Sequence, residues 1–489
     1  MKKDNLLKLI ELVRDDEFIS KNIKYLFPCG KKIDYSLFLS LNDCEIDYIF
    51  RLNDSRIRFI QLYLCLNSVS CSDEFMKIDL EIDLNIALVL VDIIMSLDNF
   101  KDISKLNEIV LNISKSSGVK NAEYAGMVIK KMLFIDEVFP ENINAVICYV
   151  SHADEEFQAK YAADFLMKWN PKIDDNNKIY VYCKLISVAK GVNQAKKVYD
   201  YALGHKRDTY GLKIAQGIAN ANGIVQLNCA MKMIEEFDRW RSDMKVVNSG
   251  FVNYIVDVAL AKGDIQALRA NKLIMDESFK SNLNSCDLLD MVRFITNADY
   301  GYQAGYGGLV LEKLVKDNRN RKFTKEIVKI ITNAKGIGQV EYASYLAVDK
   351  ELSLFSNEFI LEVVEMIANA LGELQAELGY YVIKKTDILS KDNGMLMLDT
   401  ITKLDDKTCI MIRRNIIDYI NKLHEDVCLR LIEDKLEKKD DTEFNLCDLM
   451  KMNDLNLIMD IVSSIEDENL SDKSLVATRK LVRCVENIK

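Results

Sequence analysis

The chain has 489 residues, 49% of them hydrophobic, and only three prolines, so it can build a long core from helices that few prolines interrupt. Sixty-five basic residues against 75 acidic ones leave a net charge of −10, which lacks the cationic excess a nucleic-acid partner demands. The longest apolar run, 86–97, contains Asp92 and is too short to span a bilayer.

The amino-terminal stretch MKKDNLLKLIELV starts basic, but Asp4 and Glu11 interrupt any secretory-signal core. The chain's twelve cysteines have irregular spacing and no C-x-x-C pair. Several, such as Cys148, Cys183 and Cys229, fall in apolar helical segments, where a free thiol behaves as a small hydrophobe. Such usage suits a reducing compartment, so the expectation is a soluble, cytoplasmic protein. Helical patterns follow around 6–13, 35–41 and 57–66, and residues 1–83 are read as an N-terminal helical cap.

From Leu84 a cadence returns, with the skeleton A-x-G-x-x-Q-A-x-Y-A. Aligned on the glutamine position, its copies fall at Asn121, Gln158, Gln194, Gln226, Gln266, Gln303, Gln339 and Gln375, in steps of 37, 36, 32, 40, 37, 36 and 36 residues. A near-constant period of this size is the mark of stacked helical repeats. In the Gln339 copy, Thr324 suits an N-cap, and Ile327, Ile330, Ile331 and Ala334 give helix A one apolar stripe. Gly336 then suits a left-handed helix terminus, and glycine recurs there at Gly118, Gly191, Gly223, Gly263 and Gly372.

Helix B begins near the glutamine. Small residues one and four positions past it, Ala122, Ala159, Ala195, Ala267, Ala304 and Ala376, then Ala125, Ala162, Ala230, Ala270 and Ala343, permit close helix approach. Between them Tyr124, Tyr161, Tyr306 and Tyr342 supply an aromatic expected in the core. A link with an acidic residue and an apolar anchor follows: Asp136 with Phe139, Asp276 with Phe279, Asp349 with Leu352, Asp387 with Leu389. The repeated glutamine itself reads as a structural ladder, since its amide can satisfy free helix-end groups and one invariant residue cannot encode a varied ligand.

The repeats are assigned to residues 84–395. Residues 396–489, with helical patterns around 395–404, 410–423 and 455–465, are read as C-terminal degenerate repeats and a cap. In period and helix-pair grammar the pattern resembles the HEAT and armadillo class of α-solenoids, over about Leu84 to Leu389. The tryptophan, leucine-glycine and proline marks of tetratricopeptide repeats do not recur at fixed offsets. The expected fold is all-α, a solenoid of about eight to eleven helical-hairpin repeats of roughly 36 residues. The resemblance implies that it winds as a right-handed superhelix, and it implies no particular function.

Chemistry is sparse. Only three histidines occur, His152, His205 and His424, none with a second histidine at helical metal spacing, and the common phosphate-loop and hydrolase motifs are missing. No catalytic, cofactor-binding or metal-ligating residue is assigned. Cys29, beside Lys31 and Lys32, is the nearest thing to an activated thiol, and a loop is the plainer reading. Two segments stand out as partner-binding candidates. Arg239, Trp240 and Arg241 fall in the longest gap between motifs, expected to be a link, and are residue types that anchor interfaces. Tyr300 and Tyr302 lie in the glycine-rich DYGYQAGYGGL, where Gly305, Gly307 and Gly308 point to close packing, a hinge or a ligand against the backbone. A second basic segment, 316–325, reads as solvated linker charge.

The expected function is a non-enzymatic scaffold for a protein or peptide partner, without cofactor or membrane. The competing readings are an enzyme-like module in a terminal segment, and nucleic-acid binding along a local basic edge.

Overall fold

The structure, a computed structural model, describes residues 3–27, 33, 35–67, 82–96, 103–133, 143–169, 176–205, 210–243, 249–276, 286–385 and 394–410. Among these about 81% are helical and no strand occurs. Within the described residues no helix is long and apolar enough to cross a membrane. The chain divides into two units, Met1–Leu227 and Asn228–Lys489.

In the first unit, helices Lys3–Asp15, Glu17–Asn22, Asp43–Arg51 and Ser55–Asn67 precede the repeats. Asp16 does two jobs there: its carboxylate accepts from the amides of Phe18 and Ile19, capping the second helix, and pairs with Arg58 at 2.7 Å. Leu9, Val13, Ile19, Phe38 and Phe59 close the core of this segment.

The repeats fold as the cadence suggests. In the Gln339 repeat, helix A is Arg321–Thr332 and helix B is Ile337–Ala347; in the Gln375 repeat the pair is Asn357–Ala368 and Glu373–Lys385. The alanines one and four positions past each glutamine are fully buried without exception. With only a methyl group at these points, each B helix settles close against its neighbours. In the second unit, Phe323, Ile327 and Ile331 of one A helix and Ile360, Val363, Val364 and Ile367 of the next share a single core with Val340, Ala343 and Leu346.

The glutamine is a rung between consecutive repeats. Its Nε2 donates to a carbonyl two or three residues past the end of the next repeat's A helix: Gln158 to Ala189 and Gln303 to Ala334 at 2.7 Å, Gln266 to Ala298 at 3.1 Å, Gln375 to Leu404 at 2.7 Å. Asn121 makes the same bond to Ala153, Gln194 to Ala221 and Gln339 to Ala370. A backbone rung runs beside it, from the amide four residues before the glutamine to the carbonyl seven residues before the next one: Lys190 to Ala219, Lys262 to Thr296, Lys335 to Ala368. Helix-end carbonyls that would otherwise be buried without partners are thereby satisfied.

Two sequence expectations need correcting. Gly336 is not in the left-handed region: its φ is −151°, an extended N-cap opening helix B. The Gln339 side-chain oxygen lies 2.6 Å from where a Cβ on Gly336 would sit, so the glycine makes room for the rung residue. Thr324 is not the N-cap of helix A. Asn320 is, accepting from the amides of Lys322 and Phe323, while Thr324 is buried one turn later. Asn318, at φ 51°, reverses the chain just before it. Within the segment 316–325 only Asp317–Asn320 form the tight turn, and Arg321–Lys325 already belong to helix A.

The links agree where they are described. Asp349 accepts from the amides of Glu351 and Leu352, Lys384 pairs with it at 2.8 Å, and Leu352 is buried. Asp136, Phe139, Phe279, Asp387 and Leu389 lie outside the described residues, as do the helices expected at 410–423 (past its first residue) and 455–465.

Three glycines inside helix Gly301–Lys316, namely Gly305, Gly307 and Gly308, have different reasons. A Cβ on Gly307 would lie 2.7 Å from Thr332 Cγ2, and one on Gly308 would collide with the Arg269 side chain. Both answer to close packing. Gly305 has nothing within 4 Å of that position. Gly305→Ala is therefore expected to raise stability by about 0.5–1 kcal/mol, the helix-propensity gain, whereas Gly307→Ala lowers it by about 1–3 kcal/mol through overpacking. Thermal melts of the two variants check the contrast, and a loss of stability in both would contradict it.

Candidate interaction surface

The B helices of the Gln303, Gln339 and Gln375 repeats, Gly301–Lys316, Ile337–Ala347 and Glu373–Lys385, pack one against the next in chain order. Because the rungs hold their glutamines in register, residues at one offset from the glutamine come alongside each other. Six positions past it stand Leu309, Tyr345 and Tyr381, which are 54%, 44% and 46% exposed. Three positions past it, Tyr306 and Tyr342 are half-buried against the core, so Tyr342 is not the enclosed core aromatic its place in the motif suggested.

These rings form a continuous patch. Tyr342 and Tyr380 approach at 5.4 Å between centroids, Tyr345 and Tyr380 at 6.1 Å, and Tyr380 and Tyr381 at 6.1 Å. Such tilted and edge contacts fix the rings at little entropic cost. Tyr300 and Tyr302 stack at 5.3 Å with their planes 7° apart at the start of the same layer. The Tyr300 amide donates to the Gln303 side-chain oxygen at 2.9 Å, so the rung residue also holds the base of this stacked pair.

Carboxylates are set among the rings. Tyr345 donates its hydroxyl to Glu341 at 2.5 Å, which pushes its phenol up to about 12. Burial pushes Tyr342 up to about 12 as well, reinforced by Glu377, Glu341 and Glu373. Burial, then Glu341, raises Tyr306. Each phenol stays a neutral donor at physiological pH. Glu373 folds across the opening of the neighbouring B helix, its side chain occupying the place a Cβ on Gly338 would take.

Of the residues singled out in the sequence, Tyr300 and Tyr302 are therefore brought together on this face. Arg239, Trp240 and Arg241 are not in a link: they ride on the last turns of helix Ile224–Asp243, and their side chains lie outside the described residues. The long gap between motifs is taken up by a 20-residue helix where other B helices have 11–16. Cys29 and His424 also lie outside the described residues.

His152 and His205 serve helix ends, with Nδ1 at 3.1 Å from the Cys148 carbonyl and 3.0 Å from the Tyr201 carbonyl. Burial pushes the thiols of Cys183 and Cys409 up to about 12, and that of Cys148 upward, away from the reactive thiolate. Among the described residues no group of three or more His, Cys, Asp or Glu could hold a metal ion. A cleft in the first unit lined by Asp15, Asp16, Asp54, Arg56 and Arg58 has its central charges matched internally, through the Arg58–Asp16 pair.

Leu309, Tyr345, Tyr380, Tyr381 and Glu341 were not singled out from the sequence. The signal was there in part: Leu309, Tyr345 and Tyr381 are spaced 36 residues apart, the period of the repeat itself. No protein-family model matches this chain, and no curated protein matches it.

Proposed function

We propose that this chain is a non-enzymatic helical-repeat scaffold, a right-handed superhelical solenoid of HEAT or armadillo type acting in the cytoplasm, which holds a protein or peptide partner. Its binding face is the layer of B helices between Tyr300 and Tyr381. The observation that carries this reading is the exposed row Leu309, Tyr345 and Tyr381, repeated at one register on three adjacent helices. Single exposed apolar residues are ordinary on a protein surface, but a row of one leucine and two tyrosines at one register marks a site of contact. Tyrosine is enriched at interfaces because it offers large area at low entropic cost and a hydroxyl at its tip.

Peptide-display selection against the intact protein, followed by hydrogen exchange of the complexes, tests it. Selected peptides are expected to protect helices Gly301–Lys316, Ile337–Ala347 and Glu373–Lys385 at their solvent-facing turns. Tyr345→Ala combined with Tyr381→Ala is expected to weaken them about tenfold or more, the loss of two interface aromatics, with little change in melting temperature. Protection confined to other helices, or no selected peptide at all, would overturn the assignment of this face.

A further inference from the structure

We infer that the segment this face receives bears arginine, with guanidinium groups laid on the tyrosine rings and paired to Glu341 and Glu373. The inference rests on the scaffold reading and adds the chemistry of its partner.

In the second unit several carboxylates are paired across repeats with the chain's own cations. Arg293 pairs with Asp257 at 2.9 Å, Lys325 with Asp290 at 2.6 Å, Lys384 with Asp349 at 2.8 Å, and Arg269 with Glu312 at 3.2 Å. On the tyrosine face the acids stand among aromatic rings instead. No lysine or arginine among the described residues forms an ion pair with Glu341 or Glu373. What contacts them is neutral: the Tyr345 and Tyr306 hydroxyls on Glu341, and the backbone opening of helix Ile337–Ala347 beneath Glu373. Nearby Ile337 and Leu371 are exposed, so the acids stand on an apolar ground that excludes water once covered.

A flat ring with a negative face, beside a carboxylate with free lone pairs, is the surface a cation fits. Arginine suits it better than lysine, because its planar guanidinium stacks on an aromatic and still presents paired donors to a carboxylate. There is also room for its approach. At the offset where the next two B helices carry Glu341 and Glu377, the first carries Gly305, with open space where a side chain would be. That gap lies on the face shared with Tyr302, Tyr306 and Leu309, since these offsets recur at helical spacing.

The test uses fluorescence anisotropy with the intact protein and two labelled Gly/Ser peptides, one carrying spaced arginines and the other citrulline at the same positions. The arginine peptide is expected to bind saturably, and the uncharged citrulline peptide about tenfold or more weaker. Glu341→Gln with Glu373→Gln is expected to weaken the arginine peptide by a similar factor. Glu362→Gln with Glu365→Gln, an equal charge change on helix Asn357–Ala368, should leave it unchanged.

Equal binding of both peptides would overturn the inference, as would equal weakening by the two double variants, which would reduce the attraction to net charge. So would failure of the arginine peptide to bind. If display-selected peptides without arginine still protect the same three helices, the scaffold reading stands and only its partner chemistry falls.

Discussion

Replacing Gln303 by alanine is expected to lower the stability of the Asn228–Lys489 unit by about 3 kcal/mol. The residue is buried and makes two bonds that nothing nearby replaces: it donates to the Ala334 carbonyl at 2.7 Å and accepts from the Tyr300 amide at 2.9 Å. Alanine leaves a buried acceptor and a helix-end donor unpaired, at about 1–3 kcal/mol each, less what water recovers at the Tyr300 end. Gln303→Glu adds a sign test. A carboxylate can accept from Tyr300, yet it faces the Ala334 oxygen with no proton to give. Its folded-state pKa is therefore raised above the unfolded value, and the rung re-forms only when the acid is protonated. Stability of this variant relative to the wild type is expected to recover as pH falls, and to be lost as pH rises through the folded pKa. Urea denaturation followed by circular dichroism measures both. A Gln303→Ala midpoint equal to the wild type would show that the rung carries no net stability.

Ile367→Ala is expected to cost about 3–4 kcal/mol, the usual loss for emptying a fully buried aliphatic site. The more telling measurement is its coupling to Gly379. The Ile367 Cδ1 lies 2.6 Å from where a Cβ on Gly379 would sit, so helix Asn357–Ala368 presses a methyl group against bare backbone of helix Glu373–Lys385. Gly379→Ala should destabilise the wild type by about 1–3 kcal/mol and cost far less once Ile367 is alanine. Additive losses in the double variant would mean that the two helices do not interlock at this point.

Repetition is what made the fold legible. The glutamine, glycine and alanine offsets carry the helix boundaries and the buried seam, because each answers to a contact made once per repeat. The ladder role of the glutamine could be reasoned from its amide alone. Where a residue answers to its surroundings, reading by type went astray. Gly336 looked like a left-handed terminus, yet the side-chain oxygen of Gln339 explains it, a contact visible only in three dimensions. Thr324 lost the N-cap to Asn320, whose amide oxygen reaches two backbone donors from a better-placed turn. Trp240 was placed in a link because its gap is long, whereas the extra residues, free of proline and glycine, extend a helix. The tyrosine face was half legible: Tyr300 and Tyr302 stood out among glycines, while Tyr345 and Tyr381 looked like motif variation until the rungs aligned them with Leu309.

The rungs also determine where such a chain can be shortened or lengthened. Removing residues 299–334 joins Ala298 directly to Lys335 and takes out 36 residues. Gln266 still meets the carbonyl of Ala298, the amide of Lys262 still meets Thr296, and Lys335 and Gln339 keep their own acceptors at Ala368 and Ala370. A hybrid repeat with one parent's A helix and the other's B helix results, and every joint it must make has a donor and an acceptor waiting. Loss of one 36-residue unit at this seam would leave the remaining rungs their donors and acceptors. The number of units can therefore change without opening an unpaired end, whereas a single rung residue cannot.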